Sequence, residues 1–194
     1  MKRVEICGGI ASGKTTLAKL IEQNNLGVAV YENFQANPFW KAFYENPGKF
    51  IFETEIAFTL QHYHEIKKAY ETNNADRMIC DSSFLLDLAY AKIGLTGNKL
   101  EIYSNLWQEL INDIGTPDIV IVLKCGVDEE LERIKRRNRD VEKNMSINFL
   151  ELLNNEVYSI AKSEINIIEL DSEKLNFADS DNDKRYVLSI LGCV

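Results

Sequence analysis

Short apolar runs alternate with longer segments of helical periodicity along the chain. Five of these runs are almost continuously apolar, which is typical of parallel strands buried on both faces. They cover Arg3 to Cys7, Val28 to Tyr31, Met78 to Cys80, Ile119 to Lys124 and Ile165 to Leu170. Because helical segments fill the gaps between them, the pattern predicts an α/β fold with helices packed on a five-stranded parallel sheet, in three α/β/α layers.

The helical segments are bounded by residues that favour helix ends. An amphipathic helix is expected over Leu17 to Ile21, and prolines suited to a first helical turn open two more, Pro38 to Glu45 and Pro47 to Glu71. The Asp- and Asn-rich stretch Ala178 to Lys184 predicts a solvated loop before a last helix, Arg185 to Leu191.

Length, composition and net charge exclude several classes of protein. With 194 residues and 45% apolar content, we expect one domain over residues 1–194. A net charge of -8 argues against a nucleic-acid-binding surface. The sequence has neither a signal peptide pattern nor an apolar run of membrane-spanning length, so a cytoplasmic protein is expected. Four widely spaced cysteines fit small buried hydrophobes better than metal or redox pairs: Cys7, Cys80, Cys125 and Cys193.

A phosphate-binding loop directly follows the first predicted strand. The Walker A pattern is filled by Gly8, Gly9, Ile10, Ala11, Ser12, Gly13, Lys14 and Thr15, and the adjoining Thr16 completes the predicted nucleotide-binding set. Glycines let the backbone amides point at phosphate, the lysine reaches the β and γ oxygens, and the Thr15 hydroxyl is expected to ligate Mg²⁺. Since a helix begins at the loop, its N-terminal dipole adds to the anion site.

A second group of motifs resembles the deoxynucleoside kinase family, which phosphorylates the 5′-hydroxyl of deoxyribonucleosides and includes bacterial deoxyadenosine and deoxyguanosine kinases. The likeness covers nearly the whole chain and is carried by Tyr31-Glu32-Asn33, Asn37-Pro38 and Phe43-Tyr44-Glu45-Asn46-Pro47. It implies a P-loop NTPase fold, ATP as phosphoryl donor, Mg²⁺, a nucleoside acceptor and a homodimer packed through helices.

The resemblance also implies roles for individual side chains. Glu32 matches the catalytic base, and a carboxylate at the end of the second strand would face the phosphate loop, where it can accept the hydroxyl proton. Tyr44 matches the tyrosine that binds the sugar 3′-hydroxyl, with Glu142 as its carboxylate partner. Asp87 matches a residue that contacts the base, and Asp81 is expected to assist Thr15 in the Mg²⁺ shell.

The basic segment after the fourth strand resembles a lid, at about residues 133–145, that closes over the donor phosphates. Arg133 and Arg137 lie four residues apart and so share a helix face, and Arg139 follows them. Guanidinium groups suit spread phosphoryl charge, so Arg137 and Arg139 join Lys14 and Glu32 as expected catalytic groups. Phe177 is expected on one face of the donor adenine with Arg133 on the other. A solvated basic helix and an ordinary core phenylalanine are the alternatives.

Three positions depart from the family pattern. Ser82 stands where an arginine is usual beside the catalytic carboxylate, and Ala91 stands where an aromatic often stacks on the base, although Tyr90 adjoins it. The base-reading glutamine falls on Glu55, and Gln61, six residues on, points about 120° away on a helix. An ionised Glu55 offers only acceptors, which favours guanine among the purine deoxynucleosides expected as substrate.

Two other functions and one open question of assembly remain. A nucleoside monophosphate kinase of the thymidylate kinase type shares the loop and the arginine lid, but it needs a cation for the acceptor phosphate where Ser82 stands. A nucleotide-binding regulatory subunit with impaired catalysis is the other alternative. The apolar surfaces of Phe84 to Ile93 and Leu100 to Leu110 would serve a dimer interface or face the core.

Overall fold

The computed structural model describes residues 1–142, 145–163 and 166–192. All five strands are parallel and lie in the order β2-β3-β1-β4-β5. Their bounds are β1 Lys2–Gly8, β2 Val28–Val30, β3 Arg77–Cys80, β4 Ile119–Lys124 and β5 Ile167–Asp171. Eight α-helices are described: α1 Lys14–Gln23, α2 Trp40–Glu45, α3 Pro47–Thr72, α4 Phe84–Gly94, α5 Gly97–Ile114, α6 Val127–Arg137, α7 Ile147–Ala161 and α8 Asp181–Gly192.

Alternate residues of the central strands face two separate apolar cores. In β4, Ile121 and Leu123 pack with α1 and α8, whereas Val120 and Val122 pack with α4, α6 and α7. Because each face of the sheet carries its own helices, the predicted three-layer arrangement is confirmed. Among the described residues, no helix combines the length and apolar content needed to cross a bilayer.

The starts of α8 and α2 differ from the sequence predictions. The last helix begins at Asp181, so residues 181–184 are helical and not part of a loop. Asp181 and Asp183 in the first turn favour the positive end of the helix dipole, and the Asp183 amide donates to Ser180 Oγ at 3.3 Å. Helix α2 begins at Trp40 because Asn37 Oδ1 accepts from the Phe39 amide at 2.9 Å and holds the preceding turn.

The predicted cysteine environments are confirmed where the structure describes them. Cys7, Cys80 and Cys125 are buried and free, and burial raises the pKa of the Cys7 thiol to about 12. Cys193 and the predicted strand start Ile165 lie outside the described residues.

The apolar faces considered for a dimer interface pack largely inside the chain. Phe84, Leu85, Ala89 and Ala91 of α4 are buried, and α4 contacts α3, α5 and α7. On α5, Tyr103 is fully buried and its hydroxyl bonds Thr59 Oγ1 at 2.7 Å. These residues therefore belong mainly to the core of the chain.

A buried ion pair within β1 fixes the start of α4. Arg3 Nε lies 3.0 Å from Glu5 Oε1, and both side chains are fully buried. Glu5 Oε2 accepts from Ser83 Oγ at 2.9 Å and from the Phe84 amide at 3.1 Å. Since α4 carries Asp87, this pair helps to set the position of a predicted site residue.

Candidate active site

The phosphate loop lies at the carboxyl end of β1, where ligands bind in open parallel sheets. Gly13 has φ 104°, a left-handed conformation that disfavours side chains, and α1 begins at the next residue. Lys14 Nζ donates to the carbonyl oxygens of Gly8 at 2.9 Å and Gly9 at 2.8 Å. Residues Ile10 to Thr16 line a cavity of about 800 Å³.

Two buried polar residues support this loop from behind, and the sequence analysis missed both. A Cβ on Gly9 would lie 2.2 Å from Glu130 Oε1 and 2.2 Å from Asn154 Oδ1. Asn154 Nδ2 donates to Glu130 Oε2 at 3.0 Å, and burial raises the pKa of Glu130 to about 7. The close packing explains why the second loop position must be glycine.

Asp81 joins the phosphate loop to the end of β2. Its Oδ2 accepts from the Thr15 hydroxyl at 2.9 Å, and its Oδ1 accepts from the Glu32 amide at 2.6 Å. Burial raises the pKa of the Asp81 carboxyl, although both hydrogen bonds oppose that rise. A hydroxyl beside a carboxylate next to a phosphate site is an oxygen donor pair that fits Mg²⁺, which usually takes one or two protein ligands plus water and phosphate.

The Glu32 side chain lines the cavity beside the phosphate loop. Burial raises the pKa of its carboxyl, but His62, Lys14 and Arg139 together lower it by more. The pKa of Glu32 therefore lies below its usual value. His62 Nε2 lies 3.3 Å from Glu32 Oε1. Glu32 is therefore ionised at neutral pH, as a proton acceptor must be.

The surroundings of Glu55 disfavour the ionised carboxylate expected from the sequence. It is 3% exposed, and burial together with the nearby charge of Asp87 raises the pKa of its carboxyl well above the usual value. A neutral carboxyl offers one donor and one acceptor, as an amide does. Burial therefore disfavours the ionised Glu55 on which the preference for guanine depended.

The predicted pair of Tyr44 and Glu142 lines the same cavity. Burial raises the pKa of the Tyr44 hydroxyl, and the charge of Glu142 adds to the rise. Glu142 also accepts from Arg137 Nε at 2.6 Å and from Arg139 Nη1 at 3.4 Å, so it anchors two lid arginines beside the acceptor side of the cavity.

Aromatic residues form another part of the acceptor wall. Tyr90 lines the cavity, with its ring 6.4 Å from Phe43 and 6.0 Å from Phe149, whereas Ala91 is fully buried. Gln61 donates to the Asn33 carbonyl at 2.9 Å and does not line the cavity. The structure therefore keeps Gln61 apart from Glu55, as the helical spacing predicts.

The described part of the lid contacts both sides of the cavity. Arg133 Nη2 donates to the Ser172 carbonyl at 2.6 Å, while the Arg139 guanidinium lies 4.2 Å from the centre of the Phe34 ring. Phe177 approaches within 3.2 Å of a Cβ built on Gly13, and it is also buried in the core with α1. Phe177 is therefore a core residue that also lines the cavity, and its place beside the adenine stays a prediction. Residues 143 and 144 of the predicted lid lie outside the described residues.

Together, the parallel sheet, the phosphate loop and the carboxylate facing it define a P-loop phosphotransferase that uses a nucleoside triphosphate. More particularly, the chain belongs to the deoxynucleoside kinase family, because the family model described as "Deoxynucleoside kinase" matches residues 4–191. The family transfers a phosphoryl group to a deoxynucleoside hydroxyl. Membership confirms the resemblance noted in the sequence and favours it over the monophosphate kinase alternative.

Individual relatives agree with this assignment. The chain is 27% identical to a deoxyguanosine kinase of Bacillus subtilis over 96% of this chain and 89% of the relative. It is 31% identical to a deoxyadenosine kinase of Dictyostelium discoideum over 78% of this chain and 63% of the relative. A deoxyadenosine kinase structure from M. mycoides with bound dCTP superposes with a TM-score of 0.83, covering 99% of this chain and 100% of that one at 19% identity.

Proposed function

We propose that the chain transfers the γ-phosphoryl group of ATP to the 5′-hydroxyl of a purine deoxynucleoside, with Glu32 as the general base. The observation that carries the proposal is the link from Thr15 through Asp81 to the Glu32 amide, which sets the Glu32 carboxylate opposite the phosphate loop. A phosphoryl group held by the loop and a hydroxyl held by Glu32 would then meet in one cavity.

On the donor side, the loop amides and Lys14 bind the β- and γ-phosphates, and Arg137 and Arg139 counter the charge that develops on the transferring group. The adenine lies between Phe177 and Arg133, which both approach Gly13. Thr15 and Asp81 would hold Mg²⁺, which when bound supplies charge neutralisation of the phosphates.

On the acceptor side, Tyr44 binds the sugar 3′-hydroxyl, supported by Glu142, and Glu32 accepts the proton of the 5′-hydroxyl as it attacks. Glu55 and Asp87 contact the base. A neutral Glu55 pairs a donor with an acceptor, which suits a purine edge and favours neither adenine nor guanine. The names of the relatives, deoxyguanosine and deoxyadenosine kinase, support a purine.

The cellular location and assembly are also proposals. We expect a cytoplasmic homodimer, which is supported by the family resemblance. Light scattering coupled to size exclusion should give twice the mass of 22.2 kDa, and a mass of one chain at assay concentration would contradict the dimer.

Removing the proposed base tests the mechanism directly. Glu32→Gln keeps the shape and the backbone link to Asp81 but cannot accept a proton, so kcat should fall by about 10³-fold while ATP affinity stays within twofold. Glu45→Gln is the matched control, because Glu45 is exposed on α2 and does not line the cavity. Equal turnover in the Glu32 variant and the control would reject Glu32 as the base.

A panel of the four deoxynucleosides, each offered with ATP and Mg²⁺, tests the acceptor. We expect deoxyadenosine and deoxyguanosine to be phosphorylated at the highest kcat/KM. Preference for thymidine or deoxycytidine would overturn the purine assignment. Tight ATP binding with no product from any nucleoside would instead support the catalytically impaired regulatory subunit.

A further inference from the structure

One buried histidine lies between the catalytic and the base-reading carboxylates. His62 projects from α3 and is 5% exposed. Its Nδ1 lies 2.9 Å from Asp87 Oδ2 on α4, and its Nε2 lies 3.3 Å from Glu32 Oε1 at the end of β2. A single ring therefore contacts two residues that have different roles in the proposed function.

The two contacts determine the charge of the ring. Both neighbouring atoms are carboxylate oxygens, which accept hydrogen bonds, and a neutral imidazole has only one N–H to donate. An imidazolium presents an N–H to each carboxylate, as a charge-assisted hydrogen bond to Asp87 and as an ion pair with Glu32 at 3.3 Å. Burial would lower the pKa of His62, but the charges and hydrogen bonds of Asp87 and Glu32 outweigh burial and raise it well above its usual value.

The other neighbours of the ring do not oppose this charge. Phe58 stacks on it at 5.9 Å, one turn earlier on α3. Burial and the charge of Asp87 raise the pKa of Glu55, which lies on the same helix. Burial also raises the pKa of Asp87, whereas the charge and hydrogen bond of His62 lower it. His62 is therefore the basic group between two acidic side chains, Glu32 and Asp87.

The position of the His62 cation matters because residue 82 carries no positive charge. The family resemblance expects an arginine there, beside the catalytic carboxylate, and this chain has Ser82. Ser82 is 8% exposed and does not line the cavity. The basic side chain that contacts the Glu32 carboxylate comes instead from α3, and it is His62.

We propose that His62 is a positioning residue whose imidazolium holds Glu32 in its reactive orientation, in place of an arginine at position 82, and at the same time fixes Asp87 beside the acceptor base. The proposal rests on the proposed function of Glu32 as base. His62 does not touch the reacting atoms. It keeps both ring protons throughout, and the proton of the 5′-hydroxyl moves to Glu32.

The charge of His62 can be measured without any turnover. The chain has two histidines, and His64 is exposed on the same helix, so His64→Gln yields a single-histidine protein. Imidazole ¹⁵N chemical shifts of His64→Gln should show both His62 nitrogens protonated from pH 6 to pH 8. A neutral ring at pH 7 would overturn the proposal, whether or not the protein proves to be a kinase.

The link to Glu32 has its own spectroscopic test. In Glu32→Gln combined with His64→Gln, the His62 ring loses one anionic neighbour, so its titration midpoint should move to lower pH. An unchanged midpoint would show that Glu32 and His62 are not coupled, and would contradict the positioning role.

Kinetics then separate positioning from mere structural support. His62→Gln can donate only through a neutral amide, so kcat should fall about 100-fold and the KM for the deoxynucleoside should rise, with the KM for ATP within twofold. Wild type should lose kcat at high pH as His62 deprotonates, and His62→Gln should lack that alkaline decline. His64→Gln serves as the control with wild-type kinetics.

Three kinetic results would overturn the proposal: unchanged kcat in His62→Gln, an alkaline decline identical to that of wild type, or an equal loss of ATP affinity. If His62→Gln does not fold, the ¹⁵N measurements on His64→Gln decide the question by themselves. Absence of turnover in wild type would refute the proposed function, whereas the charge of His62 would still be read from its spectrum.

Discussion

The donor and acceptor halves of the cavity are built in different ways. On the donor side, the groups proposed to bind phosphate are backbone amides of consecutive loop residues, with charge added by Lys14 and by the lid residues Arg137 and Arg139. The acceptor side relies instead on side chains from separate elements, with Glu32 after β2, Glu55 and His62 on α3, and Asp87 on α4. The donor half therefore depends on backbone shape, and the acceptor half depends on protonation states.

This difference explains which changes each half should tolerate. A backbone nest has little room for added atoms, and its amides do not titrate near neutral pH. A cluster of two buried carboxyls, the partly exposed Glu32 and one buried imidazole keeps its contacts only while its protons are correctly distributed, since each buried charge needs a partner. Steric variants should thus damage the donor half, and charge variants the acceptor half.

The largest effect on ATP binding is expected from Gly9→Ala in the donor half. The added methyl would meet Glu130 and Asn154 at 2.2 Å and displace the loop. Overpacking of about 1–3 kcal/mol corresponds to roughly 5- to 150-fold weaker ATP binding, measurable by titration calorimetry. Gly48→Ala is the control, because a Cβ there meets nothing within 4 Å. Unchanged ATP affinity in Gly9→Ala would contradict the backbone account of the donor half.

An intermediate effect is expected from Tyr44→Phe in the acceptor half. Loss of one hydrogen bond to the sugar should lower kcat/KM for 2′-deoxynucleosides about tenfold. The same variant should treat 2′,3′-dideoxynucleosides like wild type, because they have no 3′-hydroxyl to bind. Steady-state assays with both substrate sets check this, and an equal loss on both would remove Tyr44 from the sugar site.

The smallest effect on activity is expected from Glu55→Gln. Because burial raises the pKa of the Glu55 carboxyl and so favours its neutral form, an amide of similar shape should keep kcat/KM for purine deoxynucleosides within about threefold. Glu55→Ala, which removes donor and acceptor together, is the comparison and should lose more. A large loss in Glu55→Gln would mean that the base is bound by an ionised carboxylate.

The same variant should change how stability depends on pH. The folded pKa of Glu55 lies above its unfolded value, so its contribution is fully present below the unfolded pKa and is lost as pH rises through the folded one. Glutamine does not titrate. The free energy of unfolding of Glu55→Gln relative to wild type should therefore increase from pH 5 to pH 8 in urea denaturation, and an equal difference at both values would contradict the assignment.

The donor half could be predicted from sequence because its chemistry occupies contiguous residues. The strand before the loop, the loop itself and α1 were all expected, and the five parallel strands followed from the apolar runs. The structure adds contacts between residues that a contiguous sequence pattern does not connect. Glu130 and Asn154 reach the loop from α6 and α7, and Arg3 and Glu5 form a buried ion pair inside a strand interpreted as apolar.

The acceptor half was only partly predictable, for a physical reason. Its residues could be placed on helix faces, but their protonation depends on burial and on neighbours that are distant in sequence. His62 illustrates both what could be predicted from helix spacing and what required the packed structure. Seven residues after Glu55, it lies about 20° from it around the helix, so the spacing argument that set Gln61 aside also finds His62. That it contacts Glu32 and Asp87 required the packing of α3 against β2 and α4.

The central claim is that this chain moves a phosphoryl group from ATP to the 5′-hydroxyl of a deoxynucleoside, and ³¹P NMR of the reaction tests it most directly. With deoxyguanosine or deoxyadenosine, ATP and Mg²⁺, the spectrum should show ADP and a deoxynucleoside 5′-monophosphate growing in equal amounts. Hydrolysis to inorganic phosphate alone, or phosphorylation only of a nucleoside monophosphate, would contradict the account.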